Sequence, residues 1–591
     1  MPILNSTLII VVSFVPLFFL HGMEGRMLIP LGIAFIVALF ASTVVALTLT
    51  PVLCSYMLTT KKALKKNEKE PFVSRTLKVW YKKALEWALR HKKVVIGTSA
   101  ALLIFTIIIM TGLGRSFLPP FNEGSLTINI STMPGISLEE SDNMGRMAEK
   151  ILLDIPEIQT VARKTGRAEL DEHALGVNVS EMEAPFELDK RSRDEFLADV
   201  RQRLGELKGV NIEIGQPISH RIDAMLSGTK ANIAIKLFGN DLNKLYNIGG
   251  QIKEAIQGID GIADLTLEQQ IERPQLQIKP KRDMLAKYGI PLPEFSEFIN
   301  VALSGKVVSQ VYEGGKVFDL TIKVHDDDKA NMEQIGNLMI DANGQKVPLH
   351  YVAEILPLVG PNTISRENVQ RKIVVSANVA GRDLNGVVKD IQKTVGEQIT
   401  LPEGYHVEYG GQFESEQAAS RTLFLTSVIS ILLIFLLLFN EFHSMPLSSI
   451  IMLNLPLAII GGILSIWFTS GIISIPAIIG FISLFGIATR NGILLVSHYN
   501  HLRSEGMSLH DSVVLGSLDR LNPILMTALT SALALIPLAV GGDLPGNEIQ
   551  SPMAQVILGG LLSSTLLNGF VVPIMYLLLN HKQKEIENLE M

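Results

Sequence analysis

"FGIATRNGILLVSHY", residues 485–499, reads as the middle of a long apolar helix, yet it sets Arg490 and Asn491 side by side. An arginine at the middle of a membrane span costs at least about 2.5–3.5 kcal/mol on insertion scales, so it should face a polar interior and have a partner there. Whether this helix is a span depends on what surrounds it, and the flanking runs 447–468 and 523–541 are as apolar as 473–498 itself.

The same pattern extends over the chain. Of 591 residues, 47% are apolar and 19% charged, and the mean hydropathy of +0.31 is that of a membrane protein. With a bilayer crossing taken as roughly 20 apolar residues, eight stretches qualify: 6–20, the shortest, then 29–58, 94–112, 422–439, 447–468, 473–498, 523–541 and 553–579. No basic region precedes the first and no small-residue cleavage site follows it, so it does not read as a cleaved leader. The net charge of −6 is spread through polar segments and points to no nucleic-acid partner. A single cysteine, Cys54, excludes an internal disulfide and any multi-cysteine metal site.

Basic residues in short loops set orientation. Segment 59–93 holds twelve lysines and arginines, whereas the connections 21–28, 469–472 and 542–552 hold only Arg26, so 59–93 is expected on the cytoplasmic side. Counting crossings from there places the polar block 113–420 on the far side and the tail 581–591 in the cytoplasm. Within 59–93, "RTLKVWYKKALEWALR" puts Leu77, Trp80, Ala84 and Trp87 on one helical face and lysines on another, the pattern of a helix lying on a membrane surface.

The two ends of the chain repeat one another. Pro2, Pro16 and Gly25 recur at Pro523, Pro537 and Gly546, and Pro30 and Pro51 recur at Pro552 and Pro573. Prolines add nothing to the apolar character of a span, so a shared set argues common descent. If the repeat unit is whole only at its second occurrence, the chain is the C-terminal part of a two-halved molecule, an arrangement typical of transporters with sites between the halves.

The polar block alternates strand-like and helix-like runs. "GSLTINIST", "SLEESDNMGRMAEKILLDI" and "IQTVARKTG" read as strand, helix, strand, and the theme returns from "ANIAIKLFG" onward, as in split, ferredoxin-like βαβ units. Candidate metal ligands are scattered through it: His173 with Asp171 and Glu172, His220 with Asp223, Glu181 with Glu183, and the thioethers of Met133, Met144, Met147, Met182 and Met225. None has a spacing that fixes a coordination geometry.

Taken together, "FLHGMEGRM" between two spans, "LTLTPVLCSYML", "FGIATRNGILLVSHY" and "DRLNPILMTALTSALALIPLAVGG" resemble the resistance-nodulation-division (RND) efflux permeases, and "GMEGRM" with "RIDAMLSGTKANIAIKLFG" resembles their heavy-metal, Cus/Czc-like branch. The resemblance runs from residue 1 to about 580. It implies a polytopic α-helical membrane protein with a large α+β periplasmic domain, the second half of a proton-driven pump of the bacterial inner membrane. The implied partners are the missing N-terminal half, a homotrimer, a periplasmic adaptor (membrane fusion protein), an outer-membrane channel and the lipid bilayer. No resident cofactor is expected; the proton is the coupling ion and a metal cation the cargo.

On this likeness the chain divides into spans five and six (1–58), a cytoplasmic basic helix (59–93) and span seven (94–112). Then come a first porter subdomain (113–227), a second (228–305 and 371–418), an inserted docking subdomain (306–370), spans eight to twelve (419–580) and a tail. In the family a cation at the position of Arg490 pairs with acids on the fourth span, and their protonation drives the cycle. A guanidinium stays charged, so Arg490 would be a fixed counter-ion rather than a proton carrier. Asn491, Thr527 and Arg520 match positions around the same relay. Met225, Asp223 and His220 are the metal candidates.

The chain also departs from the pattern. Copper and silver members use three methionines, whose places here hold Asn129, Ala224 (with Met225 adjacent) and Ile290. Cu(I) and Ag(I) want soft ligands, so a divalent cation such as zinc, cobalt or nickel is the better expectation. Some metal-branch members carry an acid at the place of Arg490 and a lysine at that of Ile524, which leaves export of organic compounds as the alternative. A non-transporting periplasmic scaffold, or an inactive gene fragment, is the alternative of another class.

Overall fold

The computed structural model describes residues 2–58, 71–119, 121–166, 176–188, 191–269, 272–361, 363–542 and 544–590. The candidates Asp171, Glu172 and His173, and the lysine-rich start of the basic segment, lie outside the described residues.

Among the described residues seven helices are long and apolar enough to cross a membrane: Gly22–Met57, Lys92–Gly112, Gln412–Phe442, Met445–Phe468, Ile475–Ser504, Leu509–Val540 and Gln550–Asn580. A shorter apolar stretch, Leu4–Phe19, accounts for the eighth run in the sequence. It is not one α-helix: Pro16 has no amide hydrogen to continue the ladder, and the α-helix Pro2–Ser13 gives way to a 3-10 turn, Val15–Phe19. At the matching end of the repeat, Pro537 stays inside its helix. Helix Leu509–Val540 begins well before the run expected from 523, because its first turns are amphipathic and carry no hydropathy signal. Acids in these helices sit toward their ends, namely Glu24, Glu414, Glu416, Glu441, Asp511 and Asp519.

Three helices meet through glycine. Where 454–468 crosses 550–580, a Cβ on Gly461 would overlap the carbonyl oxygen of Gly559, and one on Gly559 would overlap that of Gly461. Apolar side chains gain little from leaving lipid, so close backbone approach and interhelical hydrogen bonds hold such crossings. Ser563 supplies the bonds. Its hydroxyl accepts from the Gly461 amide at 3.0 Å and donates to the Leu457 carbonyl at 2.9 Å, reaching into one step of its neighbour's ladder. Helix 475–504 joins the group through Gly480, against Met553 and Val556, and through Leu484, against Gly560.

Helix Phe72–Arg90 carries two apolar stripes rather than one. The expected stripe faces outward, with Trp80 75% and Trp87 53% exposed. The other, Leu85, Ala88 and Leu89, is buried in a core shared with the helices that end the chain, and the Tyr81 hydroxyl donates to the Gly569 carbonyl at 2.6 Å.

The polar block holds two sheets within the same compact unit as these helices. The first orders its strands 162–165, 179–185, 125–131 and 211–215, all antiparallel. Helices Leu138–Leu153 and Arg193–Leu204 cover its apolar face with Ala148, Leu152, Phe196 and Val200. The second centres on 233–238 between 370–379 and 406–411, with 262–267 also on 370–379. Helices Leu242–Ile256 and Leu384–Gln398 pack on it. A parallel pairing of 114–116 with 472–474 joins the end of helix 92–112 to the start of 475–504. Met133–Ile136 and Gln269–Arg366 form a second compact unit, where the sequence reading sets the insert at 306–370. The reason is long-range: strand 272–280 pairs in continuous register with 353–361 and so belongs with the insert.

Candidate functional site

Arg490 lies about midway along Ile475–Ser504, half-buried. It stands one turn beyond Gly486, whose backbone abuts Ile10 and Ser13, so it is on the face turned toward helix 2–13. Among the described residues no ion pair or hydrogen bond reaches its guanidinium. An acid of helix 412–442, Glu441, accepts from the Asn5 amide.

Among the described residues no hydrogen bond links the other three relay candidates to Arg490. Asn491 is buried, one residue on and so about a quarter-turn away, on the face where Gly480 and Leu484 meet helix 550–580; its side-chain nitrogen has no partner among the described residues. Thr527 donates to its own helix, to the Pro523 carbonyl at 2.8 Å. Arg520, two turns before Thr527, is half-buried with its Nε unpartnered.

A second constellation forms on the polar face of the first sheet. Strand alternation turns Leu126, Ile128 and Ile130 to the core and leaves Asn129 on the other face, in register with Glu181 and Glu213. The Lys230 ammonium donates to Asn129 Oδ1 at 2.8 Å and to Glu181 Oε2 at 2.6 Å, while Lys164 donates to Glu181 Oε1 at 2.8 Å. Burial would raise the Glu181 carboxyl, but the two lysines outweigh it and hold it at about 2. Asn129 Nδ2 donates to His220 Nδ1 at 3.2 Å, so the neutral ring carries its hydrogen on Nε2, which is buried and without a partner among the described residues. A resident ammonium ion thus stands beside Asn129, where the family likeness would put a soft ligand.

His220 and Asp223 lie one turn apart on the short helix Pro217–Ser227, both buried, while Met225 is 66% exposed on its far side. The three proposed metal ligands therefore do not converge. Asp223 is instead held by amides: Gln412 Nε2 donates to Oδ1 at 2.7 Å and Asn232 Nδ2 to Oδ2 at 3.1 Å. Of the other thioethers Met182 is in the core, and Met133 and Met147 are exposed. Among the described residues no three His, Cys, Asp or Glu side chains stand together as a metal would need. Sequence reasoning did not single out Lys230 and Asn232, although both lie in the quoted stretch "RIDAMLSGTKANIAIKLFG", nor Gln412; they act across 9–189 residues of chain.

Burial drives the two titrating groups of this helix in opposite directions. It pushes the Asp223 carboxyl up to about 6 from an ordinary 3.8, against the hydrogen bonds of Gln412 and Asn232. The His220 ring is brought down to about 4 from 6.5, first by burial and then by the charge of Lys230. The folded chain therefore holds the Asp223 proton longer than the unfolded chain, and stability falls as pH rises from about 4 to 6. It releases the His220 proton sooner, and stability rises over about pH 4 to 6.5. Each contribution is at most about 3 kcal/mol, and they nearly offset. His220→Gln should expose the first slope and Asp223→Asn the second, read as opposite shifts in unfolding temperature between acidic and neutral detergent buffers. Parallel shifts would contradict this.

The model of the AcrB/AcrD/AcrF family matches residues 1–580. The chain is 33% identical over 600 residues to the cobalt-zinc-cadmium resistance protein CzcA of Cupriavidus metallidurans, a match covering 99% of this chain and 56% of that protein. It is 30% identical over 584 residues to the nickel and cobalt resistance protein CnrA of the same organism, covering 97% of this chain and 54% of that one. The crystal structure of a heavy metal efflux pump matches it with a TM-score of 0.81 at 27% identity, over 98% of this chain and 58% of that one. The chain thus spans little more than half the length of the relatives it matches.

Proposed function

Because the chain belongs to the AcrB/AcrD/AcrF family, the RND efflux permeases, we propose that it works as part of a proton-driven pump that exports divalent metal cations across a bacterial inner membrane. One observation carries the proton-driven part: a guanidinium midway along an apolar helix, Arg490, with no acid partner among the described residues. A charge so placed is functional by default and calls for an acidic partner. The substrate class rests on relatives named for resistance to cobalt, zinc, cadmium and nickel. Lys230 beside Asn129 argues against Cu(I) and Ag(I). In this reading residues between helices 92–112 and 412–442 are periplasmic, the pump is a trimer, and an adaptor and an outer-membrane channel complete it.

Removing the coding region from the source cell should lower tolerance to zinc, cobalt or nickel and raise cell metal content, leaving tolerance to dyes and detergents unchanged. The reverse pattern would favour export of organic compounds. Vesicles containing only these 591 residues should show no proton-coupled metal flux, since Arg490 has no acid partner among the described residues. Flux from them would refute the missing-partner reading.

A further inference from the structure

Helix Pro217–Ser227 is joined at three points to different parts of the compact unit. Its start is held by Glu123, whose carboxylate accepts from the amides of Ile218 at 2.6 Å and Ser219 at 3.1 Å. His220 ties it to Asn129, and through Asn129 to the Lys230–Glu181 pair on the sheet. On the membrane side Ile222 packs in one core with Ala419 and Leu423 of helix Gln412–Phe442.

The third joint is the most specific. Gln412 is the first residue of that 31-residue helix, and its side chain donates to Asp223, which is 1% exposed. Its backbone amide donates to the Asn232 carbonyl at 3.1 Å, and the Asn232 side chain returns to the other oxygen of Asp223. The preceding Gly411 has φ +93°, and a Cβ there would meet the same Asn232 carbonyl. Each Asp223 oxygen thus accepts from one side-chain amide, Gln412 on one and Asn232 on the other. The helix has no freedom to turn at its first residue without breaking these bonds.

We propose that Asp223 and Gln412 are positioning residues that transmit movement of helix 412–442 to the polar sheet through helix 217–227. This rests on the export reading above. If the pair transmits motion, what matters is that the bond exists, not which residue supplies the carboxylate. The exchange Asp223→Gln with Gln412→Asp preserves both the combined side-chain reach and the donor–acceptor pairing.

The test is metal-driven proton flux in native membrane vesicles holding the whole pump, with metal concentration varied. Gln412→Leu should lower the maximal flux about tenfold, the loss expected for a charge-assisted hydrogen bond, without moving the half-saturating metal concentration. The double exchange should restore it. A double exchange that is produced at wild-type level yet stays inactive overturns the proposal, as does Gln412→Leu with full flux. If Gln412→Leu fails to fold, the double exchange still decides. Absence of flux from wild-type vesicles refutes export itself, which separates the two readings.

Discussion

Arg490→Ala, introduced at the chromosomal position, should reduce metal tolerance to that of a deletion strain while the protein remains at its normal level in the membrane. The argument runs through insertion energy. Placing a guanidinium at mid-span disfavours insertion by at least about 2.5–3.5 kcal/mol, so the alanine chain enters the bilayer more readily, and loss of function cannot be assigned to failed insertion. What disappears is the fixed positive charge. An acid that relied on it is left buried and unpaired, at a cost of about 3–5 kcal/mol, and binds a proton permanently instead of cyclically. Arg490→Lys should keep part of the activity, because an ammonium can pair with a carboxylate but loses its own proton more easily when buried. Growth on graded zinc, cobalt and nickel, with immunoblots of membranes, is the measurement. Wild-type tolerance of the alanine strain would remove Arg490 from the mechanism.

The second large effect is structural. Gly461→Leu or Gly559→Leu should abolish recoverable folded protein, because each new side chain meets a carbonyl oxygen of the partner backbone rather than a flexible side chain. Overpacking where side chains can adjust costs about 1–3 kcal/mol. Here two helices must separate, which also breaks both bonds of Ser563. Gly97→Leu makes the control: it lies on helix 92–112 with open space around it and should be tolerated. Detergent extraction followed by size-exclusion chromatography reads the difference. A monodisperse Gly461→Leu protein would show that the crossing is looser than described.

The apolar helices were legible because hydropathy is additive along the chain. Their ends were not, since the amphipathic turns before residue 523 and the break at Pro16 depend on packing and backbone chemistry. Arg490 was legible as a site because it violates the pattern around it. The facing of its neighbour Asn491 was not legible, since adjacency in sequence becomes about a quarter-turn on a helix and turns the amide to a different face. Strand 272–280 reads from the sequence as part of the second porter subdomain, because its register partner, 353–361, lies far along the chain inside the insert. The lysine between Asn129 and Glu181 was invisible for the same reason: hydrogen bonds across 101 and 49 residues leave no local trace.

The hydroxyl of Ser563 has a temporal meaning as well as a spatial one. It is synthesised 106 residues after the Leu457 carbonyl to which it donates. In a lipid interior no water is at hand to satisfy backbone groups in the interval, so Leu457 and Gly461 must first serve each other and accept the serine as a third party when the last helix docks. One turn of an early-made helix is thereby finished by a late-made one.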